Sequence, residues 1–268
     1  MNKIAVIGGT GVYDPSMFEN ISDHSLLTPY GEIHYTEGTY KGKSVIFLAR
    51  HGKGHSIPPH KINYRANIWG LKELGVTFII STTAVGSLNP EFKPGHFVLT
   101  DQFLDFTKSR ITTFYDGEGR PVAHLDVTNP YCPELRDMIM AAAKELKLNV
   151  HNGGTYVCTE GPRFETPAEI KMFQMLGGET VGMTNVPEVN LANEAEMAYA
   201  TISMITNFAA GISPEALTHS EVVEMMGQMA EELKALILKT IEAIDVDATY
   251  ACHNRMYEYG GFQLEAQK

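Results

Sequence analysis

Apolar residues along this chain fall into short continuous runs broken by glycine and proline, with helix-spaced stretches between them. Residues 3–7 (KIAVI), 44–48 (SVIFL), 76–83 (VTFIISTT), 97–100 (FVLT) and 201–206 (TISMIT) read as strands, and the run at 76–83 is of the kind buried in a central sheet. Residues 63–74, 133–146, 190–200 and 218–244 carry helical spacing; the first ends at Gly75, and the last has Met225, Met226, Met229, Leu233, Leu236 and Ile237 as an apolar stripe that reads as core. Trp69 reads as core on the first of these helices.

The most informative stretch is 155–189. A β-branched strand ends at Gly161-Pro162, Thr166-Pro167 supplies a helix N-cap and first-turn proline, Gly177-Gly178 stops the helix, and a second apolar strand ends in Met183-Thr184. That is a βαβ-like unit. In open α/β sheets ligands bind beyond the strand ends, which makes Glu165, Met183, Thr184 and Glu188 candidates together. Taken singly, Glu165 reads as a first-turn carboxylate and Glu188 as a surface charge after a proline.

At 268 residues, 44% hydrophobic and 20% charged, the chain can bury a substantial core, and no Pro/Ser-rich linker divides it. The expected fold is one α/β domain over 1–268, a three-layer αβα arrangement around a mixed sheet, with 247–268 unassigned. A net charge of -11 argues against nucleic-acid and anionic-membrane partners, so any phosphate site must be a local exception. Cys132, Cys158 and Cys252 lack metal-ligand spacing, and the N-terminus reads as a strand rather than a signal peptide, which together suggest a cytoplasmic location.

Two clusters supply candidate chemistry. Gly8-Gly9-Thr10-Gly11 follows the first strand, where glycines let backbone N–H groups approach an anion; a tight turn and a dinucleotide loop compete with that reading, though GGTGVYD does not complete GxGxxG. Arg50, His51 and His55 follow the second strand, and a basic cluster at a strand end needs an anionic partner; a guanidinium suits two phosphate oxygens at once.

GTYVCTEGPRFET followed by GMTNVPEV, together with IGGTGVYD, LARHGKGHSIPPHKINYRANIW, STTAVGSLNP and ITNFAAG in that chain order, resembles the purine nucleoside phosphorylase and methylthioadenosine phosphorylase family, its trimeric branch. The resemblance implies reversible phosphorolysis of a nucleoside, with orthophosphate as co-substrate and no metal or organic cofactor. It implies phosphate contacts at Thr10, Arg50, His51, Thr83, Ala84 and Thr184. Small residues suit positions 83–84 because a larger side chain would fill the sugar volume. It further implies Met183 against the ribose, Phe164 stacked on the base, Ala209 in the base pocket, and His124 reaching a neighbouring subunit's sugar site in a homotrimer.

Specificity rests on three positions. Adenine-specific relatives carry a carboxylic residue where Asn207 stands and a small hydroxyl residue where Glu165 stands. Asn207 can accept from purine N7–H and donate to O6, and Glu165 can accept from N1–H, which favours 6-oxopurines such as those of inosine and guanosine. His219 stands where methylthio-specific relatives have an apolar residue, and its imidazole suits a 5′-hydroxyl. Methylthioinosine and methylthioadenosine phosphorylases are the alternatives within the family. A non-catalytic nucleotide-binding module using only the first glycine loop is the alternative outside it.

Overall fold

The computed structural model describes residues 2–8, 17–117, 120–212 and 219–264. Eleven strands form one mixed sheet among these residues. In chain order they begin with β1 (Lys3–Gly8), the hairpin β2 (Glu19–Thr28) and β3 (Gly31–Tyr40), and β4 (Lys43–Ala49). After helix α1 (Tyr64–Glu73) come β5 (Val76–Ser87), β6 (Phe97–Leu99) and β7 (Gln102–Phe106). Helix α2 (Pro133–Leu146) leads to β8 (Val150–Asn152) and β9 (Thr155–Thr159), and α3 (Pro167–Met175) to β10 (Thr180–Gly182). The remainder is α4 (Asn185–Glu194), β11 (Ala198–Phe208) and α5 (His219–Ala243).

The main path through the sheet runs β2-β3-β4-β1-β5-β10-β9-β7, with β11 on the other flank of β5 and β6 and β8 beyond it. β1 alternates between two cores: Ile4 and Val6 pack on one face with α2 and α5, Ala5 and Ile7 on the other with α1 and α4. Burial on both faces explains why this strand reads as an unbroken apolar run. Trp69 is core, as expected.

The expected βαβ unit forms as β9-α3-β10, with β10 parallel to β9 (Val181 beside Val157). Thr166 caps α3 in a full capping box: its hydroxyl accepts from Glu169 N–H while the Glu169 carboxylate accepts from Thr166 N–H. Asn63 caps α1 by accepting from Ala66 N–H.

Two expected boundaries are corrected, and two features the sequence left open are resolved. The strand expected over 76–83 continues as β5 to Ser87 because β11 pairs 84–87 throughout. The helix expected over 190–200 is α4, ending at Glu194, and Ala198 already belongs to β11; helical spacing extends too far there because Met197, Ala198 and Tyr199 are all buried whichever conformation they adopt. Cys132 and Cys252, scattered in sequence, meet in space with their Sγ atoms 2.9 Å apart. The tail as far as residue 264 packs on its own chain: Glu196 accepts from the N–H groups of Met256 and Phe262, and Phe262 joins the core beside Trp69. The β2-β3 hairpin was not anticipated; most of β2 is exposed and carries no apolar alternation.

Candidate active site

The pocket follows from a break in the sheet. One flank of β5 is paired along its length by β11. Its opposite flank is paired by β1 up to Ser81, then by β10 from Gly86. Among the described residues no strand lies beside 82–85 on that side, and the cavity of about 500 Å³ opens there, lined by Thr82, Thr83, Ala84 and Val85. Gly86 sits where β10 and β11 both close on β5; an added methyl would meet Asn207 Nδ2 at 3.2 Å and Val181 Cγ1 at 3.3 Å. This close approach, rather than a turn, is what needs glycine.

One end of the cavity is held by Arg50. Its Nε and Nη2 donate to the two oxygens of Glu188 at 2.6 and 2.7 Å, Nη2 also donates to Ser81 Oγ at 2.7 Å, and Nη1 donates to the Thr82 carbonyl at 3.0 Å. Glu188 additionally accepts from Ser81 Oγ and Tyr199 OH. Glu188 is fully buried, which overturns its reading as a surface charge, and its carboxylate occupies the guanidinium fork expected to grip two phosphate oxygens. Burial opposes the Arg50 charge, and Glu188 more than offsets it, leaving the arginine firmly protonated. Four of its five N–H groups are used; one Nη1 hydrogen remains.

His51 shares this end. Its Nδ1 lies 2.8 Å from the Ile57 carbonyl, so Nδ1 carries the proton and Nε2 is an acceptor in the neutral ring. Burial pushes its pKa down to about 4, with the nearby Arg50 charge adding to the effect, so the ring is neutral at physiological pH. His55 stacks on it with ring centres 4.1 Å apart. Thr83 Oγ1 is 3.1 Å from Ser203 Oγ, and Thr184, just before α4, lies in the wall.

The other end is made from loops. Phe164 and Glu165 follow the Gly161 turn, which takes positive φ (68°) and leaves no room for a side chain, since a methyl there would strike the sulfur of Met183. Glu165 accepts from Thr159 Oγ1 at 2.6 Å, and burial raises its pKa above the ordinary carboxylate value. Asn207 follows a β-bulge: the β11 register beside β5 jumps from Ile205 to Asn207, so Thr206 is the extra residue. Thr206 Oγ1 donates to Asn207 Oδ1 at 2.8 Å, and Asn207 Nδ2 donates to the Phe208 carbonyl at 2.8 Å. Met183 and Ala209 complete this wall.

Arg50, His51, Thr83, Ala84 and Thr184 thus share one pocket with Phe164, Glu165, Met183, Asn207 and Ala209. Thr10 and the His219 side chain lie outside the described residues. His124 does not line the pocket; it is exposed, and its backbone N–H donates to Tyr259 OH at 2.8 Å. Sequence reading missed Val222, Val223 and Met226 of α5 as pocket residues, because the periodicity that marks a buried stripe cannot tell a core-facing end from a cavity-facing one. Among the described residues, Cys132, Glu134 and Cys252 have ligand atoms within 4.8 Å of one another, the one such group, and none of the three lines the pocket. No described helix is long and apolar enough to cross a membrane.

Comparison with known proteins adds the following. Residues 3–242 match the family model described as the phosphorylase superfamily. The chain is 56% identical to the 6-oxopurine nucleoside phosphorylase of Pyrococcus furiosus, covering 96% of this chain and 98% of that protein. It is 45% identical to the S-methyl-5′-thioadenosine phosphorylase of Thermofilum pendens, over 96% and 97%. Among solved structures, methylthioadenosine phosphorylase from Schistosoma mansoni in complex with adenine superposes with a TM-score of 0.87 at 35% identity, over 91% of this chain and 93% of that one.

Proposed function

The chain belongs to the phosphorylase superfamily, and we propose that it is a purine nucleoside phosphorylase, a pentosyltransferase that cleaves the 6-oxopurine nucleosides inosine and guanosine reversibly with orthophosphate. The products are free base and ribose 1-phosphate. The observation that carries this reading is the convergence of Glu165 and Asn207 at one end of a cavity whose other end is the unpaired flank of β5 beside Arg50. Relatives named 6-oxopurine nucleoside phosphorylases at 52–56% identity support it.

The chemistry follows from the residues. The Thr82 carbonyl faces Arg50, and strand alternation turns the Ala84 N–H to the same open flank, where it can donate to an anion. The spare Arg50 Nη1 hydrogen and the Thr184 hydroxyl add donors. His51 Nε2, an acceptor, suits a hydroxyl of the sugar or a protonated phosphate oxygen. Breaking the glycosidic bond leaves positive charge on the sugar, stabilised by the phosphate, and negative charge on the purine. Asn207 Nδ2 turns from the Phe208 carbonyl to purine O6, and Glu165 accepts from N1–H. Adenine offers a lone pair at N1, which a carboxylate cannot satisfy. Phe164 stacks on the base, Met183 lies against the ribose, and Thr10 and His219 are assigned to phosphate and 5′-hydroxyl.

Orthophosphate is a co-substrate, and no metal or organic cofactor enters this reaction. The reading takes the enzyme as one cytoplasmic domain that works as a homotrimer, with His124 facing a neighbour's sugar site. The apolar side chains of Val222, Val223 and Met226 in the wall favour methylthioinosine as a minor second substrate. The test is release of free base from inosine, guanosine, adenosine and their methylthio analogues with and without phosphate. Phosphate-dependent release from inosine and guanosine above adenosine is expected; preference for adenosine, or no release at any phosphate concentration, refutes it.

A further inference from the structure

Thr159 does not line the cavity, yet its hydroxyl donates a short hydrogen bond to the carboxylate assigned to purine recognition, 2.6 Å to Glu165 Oε1. The hydroxyl has one proton to give. Its other acceptor, the Gly182 carbonyl, is 3.4 Å away, so the bond to Glu165 takes it. Thr159 is the last residue of β9, tied down by its pairing with Phe106 of β7 and by Arg110, which donates to its carbonyl at 3.1 Å. Glu165 sits six residues on, in the loop before α3. The bond therefore anchors a loop side chain to the rigid end of the sheet.

Its polarity matters as much as its position. A carboxylate accepts from a hydroxyl in either protonation state, but the bond is far stronger to the anion. Burial favours neutral Glu165, and Thr159 is the foremost opposing influence, followed by the residue's own N–H. The surrounding charges are Glu169, which works with burial, and Arg163, which works against it; Arg163 is bound to Glu169. Across the cavity stand Arg50, neutralised by Glu188, and the neutral His51 with His55; Glu221 and Glu224 belong to the α5 turn that supplies Val222 and Val223. Ionised Glu165 accepts from the N1–H of a 6-oxopurine, whereas protonated Glu165 donates to the N1 lone pair of a 6-aminopurine.

We propose that Thr159 is a positioning and specificity-determining residue, which occupies one oxygen of Glu165, fixes the carboxylate to the end of β9 and leaves the other oxygen to accept from N1–H. This rests on the 6-oxopurine reading above. The test measures kcat/KM for inosine and adenosine from pH 5 to 9 in the wild type, Thr159→Val and Thr159→Ser, with KM for phosphate as the control. Valine keeps the shape and β-branching but removes the donor. In the valine variant KM for inosine should rise roughly tenfold, the acid limb of its pH profile should move to higher pH, and the inosine-to-adenosine ratio should fall. KM for phosphate should stay within about twofold, and serine should restore the limb and the ratio. A valine variant with the wild-type acid limb and ratio, or a serine variant no better than valine, overturns the role of Thr159. Wild-type enzyme that leaves inosine intact overturns the parent reading, and needs no variant to do so.

Discussion

At one end of the cavity, Arg50 and Glu188 are buried, joined by two short hydrogen bonds, and surrounded by Ser81, Thr82 and Tyr199 on strands from the middle of the sheet. At the other, Glu165 and Asn207 are partly exposed, sit where strands give way to loops, and are each steadied by one threonine hydroxyl. The first arrangement is saturated: its charges are cancelled internally and little donor capacity remains for a ligand. The second keeps hydrogen-bonding capacity in reserve. The phosphate of the proposed reaction is one fixed shape and can be met by a fixed frame, whereas discrimination between purine bases calls for groups that can change without disturbing the sheet.

The sharpest way to break this contrast is stability. Glu188→Ala leaves a buried guanidinium unpaired and should lower the free energy of unfolding by about 3–5 kcal/mol, while Glu165→Ala should change it by less than about 1 kcal/mol. Urea denaturation of both variants checks this, and a wild-type midpoint for Glu188→Ala would mean that the pair is not structural. Catalysis reverses the order. Asn207→Leu removes the donor to charge developing on the purine and should cut kcat for inosine roughly 10²–10³-fold, about 2.7–4 kcal/mol, at nearly unchanged stability and phosphate KM. Loss of phosphate affinity alone would put Asn207 at the wrong end.

The same contrast explains what could be read before the structure was known. Strand ends are partly legible: an apolar run followed by Arg50-His51 leaves polar groups beyond the end of β4, whereas Thr83 and Ala84 lie inside β5, on a flank that no described strand pairs. The partner of Arg50 was not legible: Glu188 is 138 residues away, and only the return of α4 beneath β5 brings them together. The bulge at Thr206 was also hidden, since an extra residue in β11 shows only against the register of β5. Thr159 looked like one more β-branched strand residue, and nothing local distinguishes a threonine that packs from one that holds a carboxylate.

A smaller effect separates the two ends by pH. Burial holds His51 at about 4 in the folded chain against 6.5 unfolded. Between those values the unfolded chain takes up a proton that the native state refuses, so stability is lost as pH falls from 6.5 towards 4 and is unaffected above that window. The contribution is on the order of 3 kcal/mol, at about 1.36 kcal/mol for each pH unit of the window. His151 and His253 are also held low by burial, so the comparison is with His51→Gln, whose stability should fall less steeply across the same range in thermal melts. A parallel slope in the two proteins would mean that His51 is already protonated in the native state.

The smallest expected effect concerns Phe164, which is 40% exposed at the base end and packs on nothing that the core depends on. Its proposed partner is the purine itself, and a stacked aromatic pair is worth about 0.5–1.5 kcal/mol beyond the area it covers. Phe164→Ala should therefore raise KM for inosine and guanosine by roughly two- to tenfold and leave KM for phosphate alone. Because stacking does not distinguish one purine from another, the inosine-to-adenosine ratio should stay put, in contrast to what Thr159→Val does through Glu165. Steady-state kinetics with the three nucleosides separates these outcomes. A ratio that moves with Phe164 would mean that the ring sets the orientation of Glu165, its neighbour in the chain, and that the two base-end contacts are one unit rather than two.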